Sequence, residues 1–232
     1  MYNSITMEIE RNPIPPKLNE KAIQLITDLC FRKDDDLEKV DGIFVYSSIM
    51  GIDKLVKLLT NILSKQISNK IFITGGVTPQ HLTEELGIKT ELTEADTILG
   101  ALDLDRYEDL KVFVERESTN TLANVTETLK NSEFRDCKTL LFIFKSHAAG
   151  RGYLTLRKFF PKAYILQRTF NTKYNDTEKE ISRENWHTFD FGRKRVWGEY
   201  LRIKTYGSRG DIEYEEVRGL VEEIENEVKE TV

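Results

Sequence analysis

Five short polar or glycine-rich stretches hold the residues able to do chemistry: Ser47-Ser48, Thr74-Gly75-Gly76, Glu115 to Thr121, Lys145-Ser146-His147 and Gln167-Arg168. Each closes a short apolar run. Gly75-Gly76 lets the backbone turn tightly and approach a ligand with no Cβ in the way. Consecutive N–H groups in such a turn can cradle an anion; a plain tight turn is the alternative. Ser118-Thr119-Asn120-Thr121 is a helix start with more capping side chains than one cap needs, and a helix N-terminus favours an anion. Asn124 lies at i+4 from Asn120, on the same helix face. Lys145, His147 and Arg151 place cations where a strand meets a helix, which suits a phosphate or carboxylate. The helix dipole disfavours cations there, and an occupied anion site would relieve that. Salt bridges to Glu115 or Glu117 are the alternative. His147 has the chemistry of a general base, but Ser47, Ser48 and Ser146 stand in no GxSxG signature.

Missing signatures narrow the chemistry. There is no Walker A motif and no GxGxxG after the first strand, which argues against P-loop nucleotide hydrolysis and the ordinary dinucleotide fingerprint. No CxxC occurs and His81, His147 and His187 are scattered, so no metal site is expected. The two cysteines, Cys30 and Cys137, read as buried free thiols. Thirty-four basic against thirty-nine acidic residues give a net charge of -5, which disfavours a nucleic-acid partner. The N-terminal residues lack a secretory apolar core, and no stretch is apolar enough to span a bilayer. A cytoplasmic, unanchored protein is the expectation.

The elements that must position these residues follow from periodicity. Residues 1–18 read as a loose arm, because Pro13, Pro15 and Pro16 block regular structure. Asn19 can cap a helix carrying Ala22, Ile23, Ile26, Leu29 and Cys30, which ends in a solvated charged loop at Lys33 to Asp36. Apolar runs at Ile43–Tyr46, Lys70–Thr74, Val112–Val114, Thr139–Phe144 and Ala163–Leu166 predict five strands, with helices between them over 52–63, 91–102, 121–129 and around 153–160. Strands apolar on both faces that alternate with helices predict a parallel sheet covered on both sides. The pattern stops near residue 170. Residues 171–190 read as irregular, 192–206 as helical with a solvated Arg193-Lys194-Arg195 start, and Tyr214 to Val228 as a helix packed on the sheet. The division is an arm over 1–18, an α/β domain over 19–170 and a helical extension over 171–232. Ligands of such sheets bind outside the carboxyl ends of the strands.

ITGG after the second strand, EADTI opening the next helix and ERESTNTLAN after the third strand resemble the YdcF-like family, the domain-of-unknown-function family that includes YdcF, SanA and ElyC. The likeness covers about residues 40–170, and YLRIKTYGSRGDI near the end is similar to the YdcF branch. Gly75 and Gly76 match the glycine loop, Glu94 the helix glutamate, Glu115, Ser118, Asn120, Thr121 and Asn124 the polar motif, and Arg151 the arginine after the fourth strand. Three positions depart from the pattern: Ser47-Ser48 where glycine is usual, Ala123 where glutamate is usual, and His147 one residue early. The resemblance implies a Rossmann-like three-layer α/β/α domain with a mostly parallel five-stranded sheet, and binding of S-adenosylmethionine or a similar nucleoside ligand. It brings no established reaction.

The leading expectation is a protein that binds a nucleotide-like or phosphorylated small molecule. In it, Gly75 and Gly76 make backbone contacts, Asn120, Thr121 and Asn124 make polar contacts, Lys145 and Arg151 hold an anionic group, Glu94 or Glu117 binds ribose hydroxyls or acts as a base, and Arg209 adds positive charge. An S-adenosylmethionine-dependent transferase or phosphate-ester hydrolase, and a non-catalytic interaction protein using the charged C-terminal helix or the Arg193–Arg195 stretch, are the competing expectations.

Overall fold

The computed structural model describes residues 9–76, 92–174 and 179–230. Five strands, β1 (Gly42–Val45), β2 (Lys70–Thr74), β3 (Lys111–Glu115), β4 (Thr139–Lys145) and β5 (Tyr164–Phe170), form one sheet in the order β3-β2-β1-β4-β5. Every pairing is parallel. Eight helices accompany them among the described residues: α1 (Glu20–Cys30), α2 (Ile52–Ser64), α3 (Glu94–Gly100), α4 (Thr121–Thr128), α5 (Ser132–Arg135), α6 (Ala149–Phe159), α7 (Asp190–Ser208) and α8 (Arg218–Glu230). This is the Rossmann-like three-layer α/β architecture anticipated above. The strand order reverses between β1 and β4, so the topological switch point lies at their carboxyl ends.

Period-two alternation divides the core by side-chain shape. Ile43, Val45, Ile71, Ile73, Leu141 and Ile143 face Leu55, Leu59, Ile62, Ala95 and Ile98 of α2 and α3 in an aliphatic layer. Phe44, Tyr46, Phe72, Phe142 and Phe144 point the other way, toward Val125, Phe134 and Leu156 of α4, α5 and α6. The rings pack edge-on or offset, with Phe44 and Tyr46 centroids 4.8 Å apart at 88°, and each such pair adds about 0.5–1.5 kcal/mol beyond burial.

Several sequence expectations change. The helix read from 91 begins, among the described residues, at Glu94; Glu91 lies outside them, as does His81. β5 continues to Phe170, past the expected Leu166. The stripe after Tyr214 becomes helix from Arg218 and does not pack on the sheet: Val221 and Ile224 bury with Ile26, Leu29 and Cys30 of α1 and Tyr200 and Ile203 of α7, in a cluster with no strand residue. Residues 9–18 carry no helix or strand, yet the arm is fastened along α7: Arg195 Nη1 donates to Asn12 Oδ1 at 3.3 Å and Arg202 Nη2 to the Glu10 carbonyl at 3.2 Å.

The charged loop after α1 is not merely solvated. It seals the outer edge of β5. Asp35 N donates to the Gln167 carbonyl at 3.2 Å, Gln167 N donates back to Asp35 Oδ2 at 3.0 Å, and Thr169 Oγ1 donates to Asp34 Oδ1 at 2.9 Å. Unpaired edge groups invite pairing with other chains; here they are met by aspartates. Asn19 caps α1 as expected, its Oδ1 accepting from Ala22 N at 2.7 Å. Both cysteines are buried free thiols.

Candidate functional site

The carboxyl ends of β1, β2 and β3 are braced into one rim. Gly75 has φ +137°, which side chains rarely adopt, and a Cβ there would collide with Ser47 and come within 2.8 Å of Glu94 Cβ. A Cβ on Gly76 would run into the Ser118 carbonyl. Both glycine N–H groups are occupied: Gly75 N donates to the Glu115 carbonyl at 3.0 Å and Gly76 N to the Ser118 carbonyl at 2.8 Å. The glycines therefore lock loops together and offer no anion cradle. Glu115 folds back on its own loop, accepting from Ser118 N at 2.7 Å and also from Glu117 N. It is not a partner for Lys145 or Arg151.

The polar motif after β3 divides its duties. Asn120 caps α4 through an Oδ1 bond from Ala123 N at 2.9 Å and, like Glu117, is exposed. Asn124, only 3% exposed, donates Nδ2–H to Ser118 Oγ at 2.6 Å, while Ser47 Oγ reaches its Oδ1 at 3.5 Å. Ser48 spends its hydroxyl on the Met50 carbonyl at 3.0 Å. Thr121 Oγ1 accepts from Arg151 Nη1 and so joins the rim to a second cluster.

That cluster surrounds the end of β4. Arg151 Nε donates to Glu199 Oε2 at 2.7 Å, and Arg202 Nη1 approaches Glu199 Oε1 at 3.4 Å. Burial pushes the Glu199 carboxyl up, but the Arg151 and Arg202 charges reverse this and hold it well below the usual 4.5. His147, 1% exposed, lies between Thr172 Oγ1 and Tyr174 OH, each 3.5 Å from a ring nitrogen. Burial drives its imidazole well below 6.5, so it is neutral at pH 7. Arg195 is 6% exposed and bonds neutral acceptors, with Nε donating to Tyr174 OH at 3.1 Å. No carboxylate among the described residues lies within ion-pairing distance of it. Its neighbours Arg193 and Lys194 behave as expected of a solvated helix start and pair with Asp190; Arg195 turns inward.

Lys145 is partly buried and makes no hydrogen bond or ion pair among the described residues. Its Nζ stands 5.5 Å from the Phe144 ring centroid. Burial, then the Arg195 charge, lower its ammonium from 10.5 to about 8, against the opposing pull of Glu199 and Glu94. Glu94, at the start of α3, is partly buried and its carboxylate has no hydrogen-bond partner among the described residues. The end of β4 thus gathers Lys145, Arg151, Arg195 and Arg202 around one buried carboxylate. Arg209 stays out: it is exposed, pairs with Asp211 Oδ2 at 2.7 Å and lies over the Tyr206 ring.

Of the anticipated residues, Ser47, Gly75, Gly76, Glu94, Ser118 and Asn124 meet in the rim, and Thr121, Lys145, His147 and Arg151 around β4. Arg195, Glu199, Arg202, Thr172 and Tyr174 were not anticipated. Clefts of about 620 Å³ at the amino ends of the strands and about 650 Å³ beside β3 lie away from this cationic group. Their charged lining is of mixed sign, with Lys39, Asp41, Arg106, Glu108 and Asp109 at the first and Glu115, Arg116, Glu117, Glu127 and Lys130 at the second. No three carboxylate, imidazole or thiol groups among the described residues converge to hold a cation. The fold and site define a Rossmann-like domain with an electropositive group at its switch point. Comparison with family models gives no match, and comparison with curated proteins gives none.

Proposed function

We propose that this chain binds a nucleotide-like or phosphorylated small molecule at the carboxyl ends of β1 and β4. The supporting observation is the pair of Lys145 and Arg195, two cations beside the switch point with no carboxylate partner among the described residues. Buried charge without a counter-ion is costly, and a phosphate or carboxylate between them would offset that cost. The ribose-like part of such a ligand would lie toward Glu94 and the rim. S-adenosylmethionine, which carries a carboxylate and a ribose, belongs to this class, and the resemblance to the YdcF-like family favours it among candidates. The apolar stripe of α8 is covered by α1 and α7, so the interaction reading would rest on the charged face of that helix or on Arg193 and Lys194.

A thermal-shift panel of inorganic phosphate, adenine nucleotides, sugar phosphates and S-adenosylmethionine tests the proposal. A ligand that binds only the folded chain raises Tm in proportion to log concentration. Stabilisation that Lys145→Met or Arg195→Gln weakens is the expected result. No shift from any compound would overturn the reading.

A further inference from the structure

Lys145 has a feature that anion binding alone does not require. The other half-buried lysines among the described residues find carboxylates: Lys54 pairs with Glu180, Lys70 with Glu133, Lys194 with Asp190 and Lys204 with Glu225. Lys145, half-buried as well, has no such partner among the described residues. Arg195 and Glu199 face it from α7, Arg151 from α6, Glu94 from α3 and His147 from the turn after β4. We infer that the Lys145 amine is a nucleophile that forms a reversible imine with the aldehyde or ketone carbon of a small anionic ligand, whose charged group the Arg195 guanidinium holds. The inference rests on the anion-binding reading above and adds a bond-forming step to it.

The chemistry balances without a co-reactant. The neutral Nζ adds to the carbonyl carbon, a C–N bond forms, and the carbonyl π pair moves to oxygen. A proton passes from nitrogen to that oxygen, with Glu94 the facing carboxylate that can relay it. The remaining nitrogen proton passes to the hydroxyl, the C–O bond breaks as water leaves, and the nitrogen electron pair forms C=N. Only a neutral amine can attack, and a lysine desolvated beside another cation is activated in this way. An ammonium lowered to about 8 keeps a useful free-base fraction near neutrality. Arg195 would supply selectivity, since a guanidinium fork recognises planar carboxylates and phosphates bidentately.

The test treats the full chain with glyoxylate, or with neutral propanal, in the presence of cyanoborohydride, and locates reduced adducts by mass spectrometry. Lys145 should be alkylated at least about tenfold faster than the exposed Lys65 and Lys162 at pH 7, with its rate half-maximal near pH 8. Arg195→Gln should slow both aldehydes, because the Lys145 ammonium rises once that charge is gone, and should slow glyoxylate more than propanal, because only glyoxylate also loses its anion contact. Should that variant not fold, competition by inorganic phosphate against glyoxylate on the unaltered chain gives the same readout. Labelling of Lys145 no faster than Lys65 would overturn the inference. If phosphate still raises Tm in that case, the imine fails and the anion site stands. Fast labelling by both aldehydes with no phosphate effect would overturn the charged-ligand part.

Discussion

Arg151 on α6 and Glu199 on α7 are joined by a 2.7 Å hydrogen bond, Nε–H to Oε2, with both residues nearly excluded from solvent. This pair ties the α/β domain to its helical extension. It also leaves Glu199, among the described residues, as the single buried carboxylate near Lys145, Arg151, Arg195 and Arg202.

Removing Glu199 should therefore cost more than an ordinary ion pair. Breaking a buried pair by deleting one partner typically costs about 3–5 kcal/mol, because the other charge stays buried. Glu199→Ala should fall in that range by urea unfolding, and the double variant Arg151→Met/Glu199→Leu should cost less than the sum of the two single changes. Additive losses would show that the pair is not coupled.

The same carboxyl makes stability depend on acid. Its folded pKa lies below the usual 4.5, so the unfolded chain takes up the proton first as pH falls. The contribution is fully present above 4.5 and is lost as pH drops through the folded value. Chemical unfolding at pH 7 and at successive steps below 4.5 should show the Glu199→Gln deficit shrinking with acid. A deficit that stays constant would contradict this.

Lys145 predicts a linked proton at the alkaline side. Between about 8 and 10.5 the unfolded chain holds a proton that the folded, empty chain has released. A bound anion would restore that proton. Phosphate binding should weaken as pH rises through 8, and calorimetry at pH 8.5 in buffers of differing ionisation heat should detect net proton uptake. Lys145→Met should abolish the uptake.

The rim glycines should resist substitution. Gly76→Ala sets a methyl against the Ser118 carbonyl, and overpacking of this kind costs about 1–3 kcal/mol. At this chain length each kcal/mol lowers Tm by about 2–4 °C. Asn124→Ala should cost about 1–3 kcal/mol, because it strands the buried Ser118 hydroxyl. Asn120→Ala should cost about 1 kcal/mol as the loss of an exposed cap. Calorimetric unfolding ranks the three.

The aspartate strap should keep β5 from pairing with a second molecule. Asp34→Ala/Asp35→Ala removes the acceptors for Thr169 and for the Gln167 amide. Concentration-dependent growth in light scattering is the expected result, and an unchanged monodisperse signal would count against the role.

Sequence patterning read the sheet well because Ile43 to Tyr46, Ile71 to Ile73 and Leu140 to Phe144 are buried on both faces and so uniformly apolar. The second half of β5 escaped notice for the opposite reason: Gln167, Arg168 and Thr169 are polar because the strap bonds to them. α5 was too short, at four residues, for any periodicity to register. Half of the cationic cluster was legible as Lys145 and Arg151, at a strand end. The other half was hidden within a charged run. Arg195 differs from Arg193 and Lys194 only in helix phase, and the spacing of Arg195, Glu199 and Arg202 at i, i+4 and i+7 was the signal for a buried face. Gly75-Gly76 was read as ligand-facing because a glycine pair signals close approach without naming what approaches; here it is the neighbouring loop.

That loop packing has a consequence for discrimination. A cradle of backbone amides measures the shape of an anion, since its donors are fixed in space. With the Gly75 and Gly76 amides already spent, an anion bound as proposed would be held by the Lys145 and Arg195 side chains and not by a fixed backbone cradle. Discrimination would then rest on the one planar fork, that of Arg195, and the remaining attraction would answer to charge and to ordinary salt.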